Sequence, residues 1–469
     1  MRIVVWTSAG LIARAQAALR ANDAGAFTKP GPRQYPHQWN WDSAVIALGL
    51  SHFDLPRALT EIRSLVSGQW LDGLIPHVVY HTGPSDYFPD PAFWQIENGP
   101  NAPGLPTSGI TQPPILASVV RTIYRRTQVR APVRSDDSAK RPFGVSRAHT
   151  AEAAATSQSR DPMSLEFVRE VYPALLRWHR WLHTARDADG SGLACIIHPW
   201  ESGTDDSPRW LSAMKAITPV DVPAYRRGDT RHVAAAERPH DADYERFIHL
   251  IDIFRRNRYD PAALLAHSPF LVQDVLFNSI LHRADQDLRA LAVLLGEPTD
   301  EIDGWLRKMR DSFNAHFWDE GRSLYFDFDL RAGGPIPVNT GATFMPLYGG
   351  LAERAQAQAL IEAHWRNPAE YAPNDSLRYR LTTVSQAEPC WEPRRYWRGP
   401  VWIILNWLLA DGLRRYGYDD LAQALRADSL ELMGKSGFRE YYDPRDGSGC
   451  GSTNFSWSAA LAFEFLADD

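Results

Sequence analysis

Three carboxylates lie within six positions of the stretch WESGTDDSPRW, which occupies residues 200–210. They are Glu201, Asp205 and Asp206, and a tryptophan stands at each end of the stretch. The glycine, serines and proline among them predict irregular backbone. Acids crowded among aromatic rings can bind a cation, or they can move a proton for a neutral, polyhydroxylated substrate. This stretch alone leaves both uses open.

A second aromatic stretch, QYPHQWNWDS at residues 34–43, ends in an acid that precedes an apolar helical pattern. Asp42 is therefore a candidate helix N-cap. Aromatic faces beside an acid also suit the alternating apolar and hydroxylated surfaces of a sugar ring, and Tyr35, Trp39 and Trp41 supply such faces here. We favour sugar binding for this stretch.

Loops farther along the chain repeat the combination of aromatic rings with polar groups. The segments DYFPDPAFWQ and TSGITQPPIL carry Tyr87 and Gln112, and neither segment is specific alone. The stretch EPRRYWRGPVW predicts a loop that leads into a buried helix, although its tryptophans also suit a core. Glu440 stands beside two tyrosines before a glycine-rich turn, where the rings can exclude bulk water.

Composition places the chain among ordinary globular proteins and narrows its partners. The 469 residues carry a net charge of −6, which disfavours a nucleic-acid backbone as the main partner. The three cysteines have no C-x-x-C spacing, which disfavours a disulfide framework and a zinc site. A D-x-D-G sequence at 187–190 fails as a calcium loop, because its glycine is fourth and His198 holds the twelfth position. We expect no metal and no organic cofactor.

The chain that must position these loops is helical nearly throughout. Segments with helical apolar spacing alternate with short turns and with long loops rich in Trp, Pro, Gly and Asp, a pattern typical of helical hairpins with functional loops at one end. A polar segment cannot bury enough apolar area to offset its ordering entropy, so we expect a flexible insertion over about 128–162. Helices are predicted at 11–22, 42–53, 55–68, 113–127, 164–186, 275–296, 298–316, 351–365, 399–417, 419–434 and 456–467.

Targeting and membrane signals are not evident. The first 23 residues lack an apolar core followed by a small-residue cleavage site, and the chain has no apolar span of 18 residues. We expect a cytoplasmic protein that acts on a small molecule, without a membrane or nucleic-acid partner. Whether the protein forms a homo-oligomer stays open.

Together these stretches resemble the inverting glycosidases of glycoside hydrolase family 63, and most of all its bacterial hydrolases of glucosylglycerate and mannosylglycerate. The resemblance covers nearly the whole chain apart from about 128–162. Inverting trehalases share single pieces, including the pattern E-S-G-x-D. The motifs that carry the resemblance are QWNWDSA, IPH, YFPDPAFW, GITQPP, HPWESGTDDSPRW, RPHDADY, YWRGPVW, EYYDP and FSWSAAL.

The resemblance implies an all-α (α/α)6 barrel that spans 1–469 as one domain, with cap loops at about 72–112 and 200–260 over the active site. It implies that Asp205 is the general acid and Glu440 the general base. Arg238 and Tyr244 would contact the glycerate end of the substrate. The implied sugar-binding residues are Tyr35, Trp39, Trp41, Asp42, Tyr87, Gln112, Tyr396, Trp397, Trp402 and, through its backbone, Gly399.

This sequence departs from the family pattern at three positions. Asp206 replaces the usual Asn, Ser448 a common Glu, and Asn40 an apolar residue. A carboxylate at 206 would raise the proton affinity of Asp205 if both faced the cleft. These departures bear on which sugar the protein prefers. We expect it to prefer glucosylglycerate to mannosylglycerate as its substrate.

The expected chemistry is hydrolysis with inversion. One protonated acid and one ionised base would lie about 6.5–9.5 Å apart, which leaves room for the attacking water. An arginine fork suits the glycerate carboxylate; Arg238 is the first candidate, with Arg226 or Arg227 as alternatives. Three other functions stay open: a trehalase or another α-glucosidase of this barrel, a sugar epimerase or isomerase, and a carbohydrate-binding protein without catalysis.

Overall fold

Helices form most of this protein, and short strands join some of its loops. The computed structural model describes residues 7–81, 87–130 and 163–467. The helices are α1 (Ser8–Ala21), α2 (Asn40–Leu50), α3 (Leu55–Val66), α4 (Pro91–Trp94), α5 (Leu116–Arg130), α6 (Leu165–Ala185), α7 (Leu211–Lys215), α8 (Asp241–Arg256), α9 (Pro261–His267), α10 (Val275–Leu295), α11 (Asp300–Phe317), α12 (Met345–Gly349), α13 (Arg354–Leu360), α14 (Ile403–Arg415), α15 (Asp419–Ser436) and α16 (Ser456–Ala467). The strands are β1 (Gln38–Trp39), β2 (Val78–Val79), β3 (Cys195–Ile196), β4 (Val272–Gln273), β5 (Trp318–Asp319), β6 (Leu324–Tyr325), β7 (Asp327–Asp329), β8 (Gly334–Ile336), β9 (Arg439–Tyr442) and β10 (Gly449–Thr453).

In the described part of the chain, six helices contact one another in a closed ring. α2 contacts α5, and the ring continues through α10, α12, α14 and α16 back to α2. All 11 residues of α2 are buried, as expected for an apolar helix that is covered on every side. A Cβ on Gly49 of α2 would lie 2.4 Å from the Cβ of Ala460, so the glycine allows α2 and α16 to approach closely. The helices α1, α3, α6, α11 and α15 pack against members of this ring.

The N-terminal ends of four ring helices meet around one cavity. Asp42 lies in the first turn of α2, Gln112 shortly before α5, Trp402 immediately before α14, and Trp457 in the first turn of α16. All four side chains line the same cavity. Loops that are far apart in sequence are therefore brought together at this end of the ring.

The structure agrees with most predicted helices and adds strands that the sequence did not predict. α14 begins at Ile403 instead of 399, because the preceding residues form an extended loop. β9 pairs with β10 in a hairpin, and β3, β4, β7 and β8 form one sheet. Most of the insertion expected over about 128–162 lies outside the described residues. Every helix in the described ranges is too short or too polar to span a membrane.

Candidate active site

Two adjoining chambers occupy the end of the ring where these loops meet, and Tyr35, Trp39, His77, Asp205 and Tyr396 line both. The inner chamber lies among the N-terminal ends of the ring helices, and the outer chamber lies beside the loop that precedes α8. The inner chamber is further lined by Trp41, Asp42, Gln112, Gly203, Trp397, Trp402, Glu440, Phe455 and Trp457. The outer chamber is further lined by Gln34, Tyr87, Phe88, Trp200, Asp229, Arg238, Pro239 and Tyr244.

Of the three neighbouring carboxylates, Asp205 is the one that faces the chambers. Glu201 is buried and accepts hydrogen bonds from Arg186 at 2.8 Å and from two backbone N–H groups. Asp206 receives the guanidinium fork of Arg398, with N–O distances of 3.0 and 2.8 Å. The two flanking acids therefore hold the loop in place.

Arg209 anchors the loop that carries Asp205. Its Nη1 donates to Asp274 at 2.8 Å and to Asp327 at 2.9 Å, and its Nη2 donates to the Thr204 hydroxyl at 2.8 Å. Asp274 also caps α10 by accepting hydrogen bonds from the backbone N–H groups of Leu276 and Phe277. The guanidinium of Arg209 thus ties the loop directly to a ring helix.

Burial raises the pKa of Asp205 to about 7. The Tyr396 hydroxyl, which donates to Asp205 Oδ2 at 3.1 Å, opposes this rise, as does the positive charge of Arg238. The neighbouring Asp206 adds a smaller rise, because its carboxylate points to Arg398 and not into the chambers. A carboxyl group that is still half protonated near neutral pH is suited to general acid catalysis.

Glu440 lies in β9 with its carboxylate in the inner chamber, 1% exposed. Tyr35 donates to Oε1 at 2.6 Å, and the fork of Arg238 reaches both oxygens at 3.2 and 2.9 Å. The backbone N–H of Ser452, from the paired strand β10, donates to Oε2 at 2.8 Å. Every one of these groups is a donor, so the site suits an ionised carboxylate that can accept a proton from water.

A short chain of hydroxyl contacts connects the two acids. Tyr396 lies 3.1 Å from Asp205 Oδ2, the two tyrosine oxygens are 3.5 Å apart, and Tyr35 lies 2.6 Å from Glu440 Oε1. Together these three distances set an upper limit of about 9 Å on the separation of Asp205 Oδ2 and Glu440 Oε1. The separation expected for an inverting pair lies within this limit. Tyr396 has a φ of +29°, a strained conformation for a residue with a side chain.

Asp42 faces the inner chamber and does not cap α2. The N-cap of that helix is Trp39, which makes no side-chain capping bond, and Asp42 lies in the first turn. The N-cap alternative for Asp42 is therefore wrong. Burial raises the pKa of Asp42 well above its ordinary value, and the charges of Glu440 and Asp205 act in the same direction. A carboxyl group in this position can exchange hydrogen bonds with a bound hydroxyl group.

Aromatic rings form the walls of the inner chamber. Trp397 stacks on Trp402 with ring centroids 3.7 Å apart and planes 8° apart. Gln112 accepts a hydrogen bond from the backbone N–H of Trp41 at 3.3 Å, which fixes the orientation of its amide. Gly203 has a φ of +69°, and a Cβ there would lie 2.6 Å from the ring of Trp41, so a side chain at this position would push the ring out of place.

The outer chamber is lined by Tyr87, which the resemblance assigns to the sugar, and by Tyr244 and Arg238, which it assigns to the glycerate end. The guanidinium of Arg227 lies over the ring of Tyr244, 4.5 Å from its centroid. Arg238 makes a contact that the sequence did not predict. Its fork is directed at Glu440, and its Nη1 also donates to Tyr35, so its Nη groups hold the implied base.

Gly399 is buried, but it is not among the described residues that line either chamber. A Cβ there would lie 2.7 Å from the carbonyl oxygen of Glu392, so the glycine is needed for backbone packing. Its backbone contact with a sugar stays a prediction.

Several chamber residues were not among the predicted binding residues. His77, Trp200, Phe455 and Trp457 all stood inside motifs that carried the resemblance, but no binding role was assigned to them. Burial lowers the pKa of His77 to about 3, and its Nδ1 has no hydrogen-bond partner among the described residues. A neutral imidazole in this position can bind a hydroxyl group.

Metal-binding side chains do not cluster in the described ranges, where no group of three or more His, Cys, Asp or Glu residues could hold an ion. The side chains that line the two chambers carry carboxyl, hydroxyl, guanidinium, imidazole, amide and aromatic groups. A protonated acid and a hydrogen-bonded carboxylate between aromatic walls are the groups that a glycosidase uses for catalysis.

Comparison with known proteins assigns the chain to the glycoside hydrolases. It belongs to glycoside hydrolase family 63, and the domain described as "Mannosylglycerate hydrolase MGH1-like glycoside hydrolase domain" matches residues 35–458. The resemblance inferred from the motifs is confirmed.

Three relatives show how far this likeness extends. A mannosylglycerate hydrolase of Thermus thermophilus is 44% identical over 446 residues, or 95% of this chain and 97% of its own. A glucosylglycerate hydrolase of Mycolicibacterium hassiacum is 34% identical over 98% of each chain. The crystal structure of a Thermus thermophilus mannosylglycerate hydrolase with Tris and D-glycerate has a TM-score of 0.84 at 43% identity, covering 97% of this chain and 100% of that one.

Proposed function

We propose that this protein hydrolyses the α-glycosidic bond between a hexose and glycerate, with inversion at the anomeric carbon. Asp205 is the general acid and Glu440 the general base. The proposal is carried by one observation: an acid with a pKa of about 7 and a carboxylate held only by donors share one cavity. The closed ring of helices is, on this proposal, the inner layer of an (α/α)6 barrel.

The hexose occupies the inner chamber and the glycerate the outer one. Asp205 lines both chambers, so it can reach the oxygen that joins the two halves of the substrate. It protonates that oxygen while Glu440 takes a proton from the water that attacks the opposite face of the ring. The walls Trp397 and Gln112 hold the sugar, and Asp42 bonds its hydroxyl groups.

The glycerate end meets Tyr87, Tyr244 and Arg238 in the outer chamber. The Nη groups of Arg238 already contact Glu440 and Tyr35. We therefore propose that this guanidinium serves both ends of the reaction, by holding the base and by supplying positive charge to the glycerate carboxylate.

The identity of the hexose is a separate question. The sequence-based expectation is glucosylglycerate, whereas the relatives named mannosylglycerate hydrolase are more similar to this chain than the one named glucosylglycerate hydrolase. Both substrates are therefore proposed. The cap loops at about 72–112 and 200–260, the single domain over 1–469, a cytoplasmic location and a homo-oligomer stay predictions.

Product analysis by NMR with α-glucosylglycerate, α-mannosylglycerate and trehalose tests the proposal. We expect release of the β-anomer of the free hexose from at least one glycerate glycoside and none from trehalose. The Asp205→Asn and Glu440→Gln variants should retain binding and lose turnover. Initial release of the α-anomer, or cleavage of trehalose alone, would refute the proposed function.

A further inference from the structure

Inverting hydrolysis leaves the two carboxyl groups in exchanged protonation states. Each turnover removes the proton from Asp205 and places one on Glu440. Glu440 is 1% exposed, so its carboxyl group has little direct contact with bulk water. A route inside the site would return the proton before the next turnover.

Two tyrosine hydroxyls lie in series between the two acids. Tyr35 lies 2.6 Å from Glu440 Oε1, and Tyr396 lies 3.1 Å from Asp205 Oδ2. The two hydroxyl oxygens are 3.5 Å apart, at the limit of a hydrogen bond, and either can be the donor. Both side chains line the inner and the outer chamber.

Arg238 restricts the direction of the Tyr35 hydroxyl. Its Nη1 donates to the Tyr35 oxygen at 3.0 Å, and a guanidinium cannot accept a hydrogen bond. The Tyr35 proton therefore points to Glu440 or to Tyr396, which are the two directions of the route. The same guanidinium holds Glu440 at hydrogen-bond distance from Tyr35.

We propose that Tyr35 and Tyr396 return the proton from Glu440 to Asp205 after each hydrolysis, an inference that rests on the proposed inverting function. Glu440 gives its proton to the Tyr35 oxygen, Tyr35 gives its own proton to Tyr396, and Tyr396 gives its own to Asp205 Oδ2. One O–H bond forms and one breaks at each tyrosine, so both remain neutral. Rotation of the two hydroxyls and of the Asp205 carboxyl then restores the starting arrangement.

The three transfers occur together. Burial raises the pKa of Tyr35 and of Tyr396 well above the ordinary value of 10.0, so neither side chain can hold a negative charge as an intermediate. A concerted shift avoids that charge, because each oxygen receives a proton as it releases one.

Rapid-quench kinetics of Tyr35→Phe and Tyr396→Phe test this relay with whichever glycerate glycoside the protein cleaves. The first turnover needs no return step, so each variant should release a burst of close to one hexose per active site. The following steady state should be slower than the burst by about 10-fold or more. Imidazole should raise the steady-state rate and leave the burst rate unchanged, because a small buffer can carry the proton instead.

Tyr244→Phe is the matched control, because it removes a hydroxyl of the outer chamber that is not part of the route. It should raise KM without a burst and without imidazole dependence. The relay is refuted if both relay variants show equal burst and steady-state rates, or a burst that imidazole does not relieve, which indicates slow product release. Failure of the proposed function would look different, since the wild-type protein would then release no hexose from a glycerate glycoside or would release it as the α-anomer.

Discussion

Asp205 and Asp206 are consecutive in the chain, but their side chains meet different partners. The guanidinium of Arg398 donates two hydrogen bonds to Asp206, whereas Asp205 accepts one hydrogen bond from the neutral hydroxyl of Tyr396. A buried carboxyl group that is not paired with a guanidinium keeps its proton more readily. The departure from the family pattern at position 206 therefore adds a structural ion pair and leaves the acid at 205 in place.

The pKa of Asp205 predicts that a rise in pH lowers both the activity and the contribution of this residue to stability. The wild-type kcat/KM should fall as the pH rises through about 7, because the acid loses its proton. A folded pKa above the ordinary 3.8 stabilises the fold below about pH 4, and this contribution is lost as the pH rises to about 7. Asp205→Asn should reduce kcat by about 10²–10⁴-fold, and its Tm should rise relative to that of the wild type between about pH 4 and pH 7. Profiles of rate against pH and calorimetry measure both; a Tm difference that does not change with pH contradicts the assignment.

The contact of Arg238 with Glu440 changes what a substitution at 238 should do. Arg238→Gln removes the fork from the base, so kcat should fall by about 100-fold on a neutral aryl glycoside as well as on a glycerate glycoside. Arg227→Gln is the matched control, because its guanidinium contacts Asp229, Asp241 and the Tyr244 ring and not the base. It should affect KM for the glycerate substrate more than kcat. A loss at 238 confined to glycerate substrates would support the simpler role that the sequence predicts.

At the scale of elements, the sequence predicts most of the longer helices, misses α8 and the ring helix α12, and predicts the loop geometry poorly. A helix such as α2 follows from local apolar spacing, which is visible within eleven residues. The β9–β10 hairpin and the bond from Ser452 to Glu440 depend on a turn whose register local spacing does not specify. The two acids are identified from family motifs, whereas the pairing of Arg238 with Glu440 joins residues 202 positions apart and appears only in the folded structure.

The attachment of the acid loop to α10 predicts a large effect on stability. Arg209→Ala would leave Asp274 and Asp327 buried without their shared cation, and we expect a loss of about 3–5 kcal/mol in the free energy of unfolding. Arg180→Ala breaks the half-exposed Arg180–Glu301 pair and should cost about 0–1 kcal/mol. Chemical denaturation of both variants measures the contrast. Equal losses would show that Arg209 does not anchor the loop.

At the scale of the whole molecule, a net charge of −6 opposes the approach of an anionic substrate. The surface recess next to the outer chamber has the opposite character. It shares Gln34 and Tyr87 with that chamber and is also lined by Arg33, Arg231 and His232. Both arginines are exposed at this mouth. Positive charge at the mouth of a negatively charged protein can guide a glycerate carboxylate inward.

Such guidance makes the rate depend on salt. For the glycerate glycoside, kcat/KM should fall as ionic strength rises from about 0.01 to 0.15 M, because the screening length shortens from about 30 to 8 Å. The double variant Arg33→Gln, Arg231→Gln should lower kcat/KM at low salt by about 3- to 10-fold and flatten the salt dependence. A neutral aryl glycoside provides the control, since its kcat/KM should respond little to salt or to the substitutions. A salt response that persists in the double variant would place the guiding charge elsewhere, at the deeper guanidinium of Arg238.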